Sequence, residues 1–281
     1  MSASPVFVPL MTLQCNGSDR FIGAAAPDKG ERMFGGQFLA QCIRAAQMSV
    51  PDDRVVHSLH AYFLRPGDSD LPIDIVVERV RDGRAFSSRE VRASQHGKEL
   101  FRVTMSLQIA DDSPVYAGMQ MPDVLSPEDT PTNYIDFTEH ELGDPNWHGK
   151  HRPIDILYVN PPPAMRDIPI TTDQLMWIKV RDALPEDPAL HLAGIAYISD
   201  ATLIDHVMLP HGLRWHDAGF NGSSLDHSMW FHHPARADDW LLFVQHVEAT
   251  GRGRGLASGH FFDRTGQLIA RCVQEGLMRW S

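Results

Sequence analysis

Phe34-Gly-Gly-Gln-Phe-Leu-Ala-Gln-Cys-Ile-Arg-Ala-Ala46 decides the fold, in combination with the segments on its C-terminal side. From Gly35 the stretch reads as a helix, because Phe38, Leu39, Cys42, Ile43 and Ala46 recur at the spacing of one apolar face. Four strand-like runs come next: Val55–Leu64, Ile73–Val80, Ala85–Ser94 and Leu100–Ile109. Turn signals part them at Arg65-Pro-Gly-Asp68, Arg81-Asp-Gly-Arg84 and Gln95-His-Gly97. One helix and four antiparallel strands bury their apolar sides by laying the helix across a curved sheet, an α+β unit.

The second half repeats this plan. A strand-like Met176–Val180 leads to a helix predicted from Asp200 to Met208, on which Leu203, Ile204, Val207 and Met208 are apolar. After a loop at Pro210-His-Gly212 come Ser224–His232, Trp240–Glu248, Gly255–Phe262 and Leu268–Met278. Landmarks recur as well. His60-Ala-Tyr-Phe-Leu-Arg-Pro66 aligns with His227-Ser-Met-Trp-Phe-His-His-Pro234 if one inserted residue is allowed, and Ser94-Gln-His-Gly-Lys98 aligns with Asp263-Arg-Thr-Gly-Gln267. The organisation expected is an N-terminal repeat over 1–110, a Pro- and Asp-rich linker over 111–150 packed on the surface, and a C-terminal repeat over 151–281. Paired edge to edge, the two repeats form one continuous curved sheet and lose two exposed edges.

Composition narrows the function. The chain has 281 residues, 43% hydrophobic and 22% charged, with a formal charge of −11. That negative field disfavours generic binding to nucleic acid or anionic lipid and points to a small-molecule partner. No apolar run approaches the roughly 20 residues of a membrane span, and Met1 to Arg20 has no secretory pattern. Cys15, Cys42 and Cys272 are widely separated, which fits a reducing cytoplasm better than a disulfide framework.

The densest polar stretch is Ser223-Ser-Leu-Asp-His-Ser-Met-Trp-Phe-His-His-Pro234. In a strand, Asp226, Ser228, Trp230 and His232 share one face, while His227, Met229, Phe231 and His233 share the other. Asp226 and His227 therefore form no relay by adjacency. His227 and His233 are about 20 Å apart along the strand, too far for a common metal. No G-x-S-x-G surrounds Ser223 or Ser224, so a nucleophile elbow is unsupported. Taken singly, each candidate has an ordinary structural use: Ser223 and Ser224 at a strand start, Asp200 as a helix N-cap, Gln274 in a cross-strand hydrogen bond, Gly35-Gly36 for close helix–sheet packing. Cys272 reads as a buried, inert thiol.

Four ordered motifs change that weighting: Phe34-Gly-Gly-Gln37, His57-Ser-Leu-His-Ala-Tyr-Phe-Leu-Arg-Pro-Gly-Asp68, Leu225-Asp-His-Ser-Met-Trp-Phe-His232 and Val273-Gln-Glu-Gly-Leu-Met-Arg279. Together they resemble the acyl-CoA thioesterase II family over nearly the whole chain outside the linker. The resemblance implies a double hotdog and hydrolysis of fatty acyl-CoA to free fatty acid and coenzyme A by direct water attack. The catalytic set it implies is Asp200, Ser224 and Gln274, with Ser224 where the family more often has Thr. Gly35, Gly36 and Gln37 are expected to bind substrate, no metal or other cofactor is called for, and a homo-oligomer, dimer or tetramer, is expected. Arg79, Arg81, Arg84, Arg89 and Arg92 read as a solvated strand face; alternatively one or two of them meet coenzyme A phosphates.

Two rival readings stay open at this point. A hotdog hydratase or dehydratase acting on enoyl or hydroxyacyl thioesters needs an Asp and a His in a distinctive motif. The nearest approach here is Asp200 with Asp205-His206, which lacks the surrounding Asn and Gly-Asp pattern. A non-catalytic acyl-CoA binding protein of the same fold is the other, with Ser224 as its one hint.

Overall fold

The computed structural model describes residues 6–26, 32–111, 113–133, 152–161, 168–214, 217 and 219–280. In the first half a short helix α1 (Phe7–Met11) and strands β1 (Gln14–Cys15) and β2 (Arg20–Gly23) precede α2 (Gly35–Gln47). The four expected strands follow as β3 (Arg54–Phe63), β4 (Ile73–Asp82), β5 (Phe86–Gln95) and β6 (Lys98–Ile109). Then come β7 (Thr132–Asn133), β8 (Ile154–Tyr158), β9 (Gln174–Val180) and the second long helix α3 (Pro188–Ser199). The chain ends with β10 (Phe220–Ser224), β11 (Asp226–Phe231), β12 (Leu241–Gly251), β13 (Arg254–Phe262) and β14 (Leu268–Trp280).

The strands form one sheet ordered β1-β2-β4-β5-β6-β3-β11-β14-β13-β12-β9-β8-β7, with β10 also paired to β14. The order β4-β5-β6-β3 is mirrored by β12-β13-β14-β11, so the duplicated plan is visible in the topology. The seam is the antiparallel pair β3–β11, with Leu59 opposite Met229 and Ala61 opposite His227. Both long helices lie in the concavity and run antiparallel. Arg44 in the last turn of α2 bonds the α3 N-cap Asp187 at 2.9 Å, while the N-terminus of α2 meets the end of α3.

Packing explains both helices. Phe38, Leu39, Cys42, Ile43 and Ala46 of α2 are at most 3% exposed, as their spacing predicts. The predicted helix at Asp200–Met208 is not found; that segment is a series of turns, and the helix is α3, one element earlier. α3 is apolar on nearly every side because the sheet and α2 enclose it, so no 3.6-residue period stands out. Its start is nonetheless marked, by Asp187 accepting from the Leu190 N–H and by Pro188 in the first turn. Leu203, Ile204, Val207 and Met208 are buried without being helical, which is what their pattern reflected. Asp200 is consequently the C-cap of α3 and not the N-cap of a following helix.

The equivalence of His60 and His227 also fails. His227 is fully buried and faces the helices; His60 is exposed on the outer face. A repeat preserves faces, so these two are not counterparts.

The described part of the linker packs over the outer face of the second half. Met121 and Val124 cover Trp177, Leu242, Val244 and Phe262, and the Trp177 indole donates to the Leu125 carbonyl at 2.9 Å. Residues 134–150 of the linker lie outside the described residues. No described helix is long and apolar enough to cross a membrane.

Candidate active site

Three elements deliver the polar residues to one point. Asp200 caps α3, Ser224 ends β10, and Gln274 lies in the middle of β14. Gln274 Nε2 donates to Asp200 Oδ1 at 2.6 Å and to Ser224 Oγ at 2.9 Å, and Ser224 Oγ lies 3.4 Å from the same carboxylate oxygen. The Asp200, Ser224 and Gln274 expected to act together do sit together.

A local irregularity selects Ser224 over Ser223. Ser224 pairs with Gly276 and Ser228 with Val273, so four residue steps on one strand face three on the other. This is a β-bulge at Leu225-Asp226, and it reverses the alternation. Plain alternation from the inward His227 would turn Ser223 to the site. The bulge turns Ser224 there instead, opposite Gly276.

The N-terminus of α2 completes the site, and it needs both glycines. A Cβ on Gly35 would stand 2.5 Å from Asp200 Oδ2, and one on Gly36 would stand 2.3 Å from the Tyr197 carbonyl oxygen. Gly35 lies against the Asp200 carboxylate and the Gly36 N–H favours its charged form, so the positive end of the helix dipole faces the acid. Gln37 has another use. It is 1% exposed and donates its amide to the Ala24 carbonyl at 2.9 Å, tying α2 to the segment after β2.

Burial raises the Asp200 carboxyl to about 6; the hydrogen bond from Gln274 and the charge of Arg152 are the principal opposing influences. Burial also pushes the Cys272 thiol and the Tyr197 phenol well above their ordinary values, so neither ionises near neutrality.

A cavity of about 580 Å³ opens onto this cluster. Gly35, Asp200 and Ser224 line it, with Phe38, Phe63, Ile204 and Phe220 among its apolar walls. Arg32, Arg65 and Arg152 line it as well. Arg152 lies over the Phe34 ring, 3.8 Å from its centre. The sequence reading missed these three arginines, which are scattered along the chain, and looked to the denser cluster instead. In that cluster Arg79 pairs with Asp19, Arg92 with Glu78, and Arg89 is buried on Ser49 and Asp82. None of Arg79, Arg81, Arg84, Arg89 and Arg92 lines the cavity. His206, the histidine a hydratase reading would use, is buried between Tyr158 and Gln245 and held down to about 4 by that burial.

The sequence profile described as "Acyl-CoA thioesterase" matches residues 157–277, and that described as "Acyl-CoA thioesterase N-terminal domain" matches residues 24–108. The chain is 40% identical over 261 residues to acyl-coenzyme A thioesterase 8 of Mus musculus, covering 89% of this chain and 81% of that one. Among solved structures, an acyl-CoA thioesterase II of Mycobacterium marinum superposes with a TM-score of 0.78 at 32% identity, over 98% of this chain and 97% of that one. A conserved protein of unknown function with a hot dog fold from Alicyclobacillus acidocaldarius gives a TM-score of 0.79 at 20% identity, over 99% of this chain and all of that one. The fold is therefore the double hotdog that the paired repeats imply.

Proposed function

This chain belongs to the acyl-CoA thioesterase family, and on that premise we propose that it hydrolyses fatty acyl-CoA with Asp200 as general base and Ser224 and Gln274 as its partners. What carries the reading is the convergence of Ser224 and Gln274 on one carboxylate oxygen of Asp200, in the lining of a cavity. Asp200 takes a proton from a water held by the cluster, and the water oxygen bonds to the thioester carbonyl carbon. Negative charge gathers on the carbonyl oxygen beside Gly35, where the N-terminus of α2 meets it. When the intermediate collapses the C–S bond breaks, and the sulfur receives the proton from Asp200. Free acid and coenzyme A leave, and the carboxylate is restored.

The cavity suits such a substrate. Phe38, Phe63, Ile204 and Phe220 offer an apolar wall to the acyl chain. Arg32 and Arg65, exposed at the cavity, suit the phosphates of coenzyme A, since a guanidinium fork matches phosphate geometry. The free cysteines support a reducing compartment, and we place the enzyme in the cytoplasm.

The test is thiol release from a panel of acyl-CoAs running from short to long chains. Turnover of part of the panel is expected, and its chain-length optimum defines the acyl pocket. Tight binding of acyl-CoA with no thiol released from any substrate would replace this reading with a binding protein.

A further inference from the structure

One inward row crosses the whole sheet. Val77, Val91, Val103 and Ala61 are successive register partners from β4 to β3, and Ala61 pairs with His227. One step beyond the Ser228–Val273 pair, His227 stands across from Gln274, which pairs in turn with Ala257. All seven are at most 5% exposed. Two polar side chains thus lie next to each other in an otherwise apolar row, at the cross-strand separation of roughly 5 Å that lets them touch.

Each has one buried polar atom that meets no partner at full hydrogen-bonding geometry, Nδ1 of His227 and Oε1 of Gln274, and the Gln274 side chain is near enough to favour a proton on the His227 ring. The other ring nitrogen of His227, Nε2, lies 3.0 Å from Ser199 Oγ, on the residue immediately before Asp200. We propose that His227 is a positioning residue which holds the Gln274 amide in its working orientation and so assembles the base. The inference rests on the assignment of Gln274 to the site.

An amide has two orientations of nearly equal shape, and only one serves here. With Nε2 towards the site, Gln274 donates to both Asp200 and Ser224. Turned over, it would set its carbonyl oxygen against the carboxylate. The working orientation leaves Oε1 pointing back into a buried sheet, where an unmet acceptor is costly. A proton on His227 Nδ1 meets that need, with Nε2 accepting from the Ser199 hydroxyl. Ser199 Oγ also lies 2.8 Å from the Ala196 carbonyl, the other acceptor for its proton. If it donated there, Nε2 would carry the ring proton and a bare Nδ1 would face a carbonyl oxygen. Burial holds the ring neutral, at about 4, so it has one proton to place. The contacts close a ring, from Asp200 through Gln274 and His227 to Ser199, which is joined to Asp200 by a peptide bond.

The test compares kcat, KM and pH profile for His227→Leu, His227→Asn, His227→Gln, Gln274→Leu and the Leu double variant. An Asn amide places an N–H near where Nδ1 stood, whereas a Gln amide reaches towards the Nε2 position. His227→Leu is expected to lower kcat roughly ten- to a hundred-fold with KM little changed. Losing the Gln274 N–H from the carboxylate raises the Asp200 pKa, so the acid limb should move to higher pH by about half a unit or more. The acid limb is assigned to Asp200 because burial keeps Cys272 and Tyr197 protonated across this range. His227→Asn should recover most of kcat and return the limb, His227→Gln should not, and the double variant should be no slower than Gln274→Leu. If His227→Leu fails to fold, the Asn and Gln pair decides alone. A limb that stays put with losses additive to Gln274→Leu, or equal activity of the Asn and Gln variants, overturns the proposal. Wild-type kcat in Gln274→Leu would sink the site assignment itself, and this proposal with it.

Discussion

On the first half's side of the seam the inward row reads Val77, Val91, Val103 and Ala61; on the second half's side it continues with His227, Gln274 and Ala257. The frame is the same in both, a helix across four antiparallel strands, yet the side-chain chemistry is on one side. Asp200, Ser224 and Gln274 all come from the second half. The first half supplies backbone at Gly35-Gly36, apolar wall at Phe38 and Phe63, and the arginines Arg32 and Arg65 of the cavity lining. Buried polar groups cost stability unless each is paired, and here they gather where the site needs them. One half is free to remain a core, and the duplicated sheet gives the other half a cavity between two helix ends.

The largest expected effect is at Asp200. Asp200→Asn should reduce kcat by about 10²- to 10⁴-fold, read by thiol release. Val103→Ala, in the same row on the other side of the seam, should leave kcat within about two-fold while lowering stability by roughly 1–3 kcal/mol in urea denaturation. The Asn variant should be no less stable than wild type at pH 7.5. The native Asp200 is protonated up to about 6, whereas the unfolded carboxyl ionises near its ordinary value. Stability from this group therefore falls as pH rises between about 4 and 6 and stays lower above, a penalty Asn does not carry. A Val103→Ala loss of kcat as deep as that of Asp200→Asn would erase the asymmetry.

Gly36→Ala comes next. The added Cβ at 2.3 Å from a backbone oxygen forces α2 and α3 apart, so a drop of at least ten-fold in kcat is expected together with a lower melting temperature. Arg89→Leu sharpens the contrast between the two arginine sets. Arg89 is fully buried with Ser49, Asp82 and the carbonyls of Arg81 and Ser88 as partners. Its loss should cost about 2–4 kcal/mol of stability by removing a buried donor that several of these groups share, with kcat unchanged at a temperature where the variant is folded. The smallest effect is expected at Ser224→Thr. The hydroxyl is kept and the added methyl restrains its rotamer, so kcat should change by less than about five-fold.

Much of this was legible in the chain. α2 announced itself because it is amphipathic, and the paired sets of four strands because turn residues punctuate them. α3 was missed because a helix enclosed on all sides shows no period, although Asp187-Pro188 marked its start. The trio proposed as catalytic was reached through the family resemblance that four motifs in order carry. The choice of Ser224 over Ser223 depends on a bulge at Leu225-Asp226, and bulges leave no trace in an alternating pattern. Arg32, Arg65 and Arg152 lie far apart in sequence and meet only at the cavity, whereas the conspicuous cluster from Arg79 to Arg92 turned out to be largely structural.

The most direct test of the account is the pH dependence of kcat/KM for a good acyl-CoA substrate, measured from pH 4.5 to 8.5 on wild type and Asp200→Asn. The active form of the base is the carboxylate, so the account predicts a rise through an apparent pKa near 6, a plateau above it, and no such limb in the residual activity of Asp200→Asn. A flat profile across pH 6, or the same limb persisting in Asp200→Asn, would contradict it.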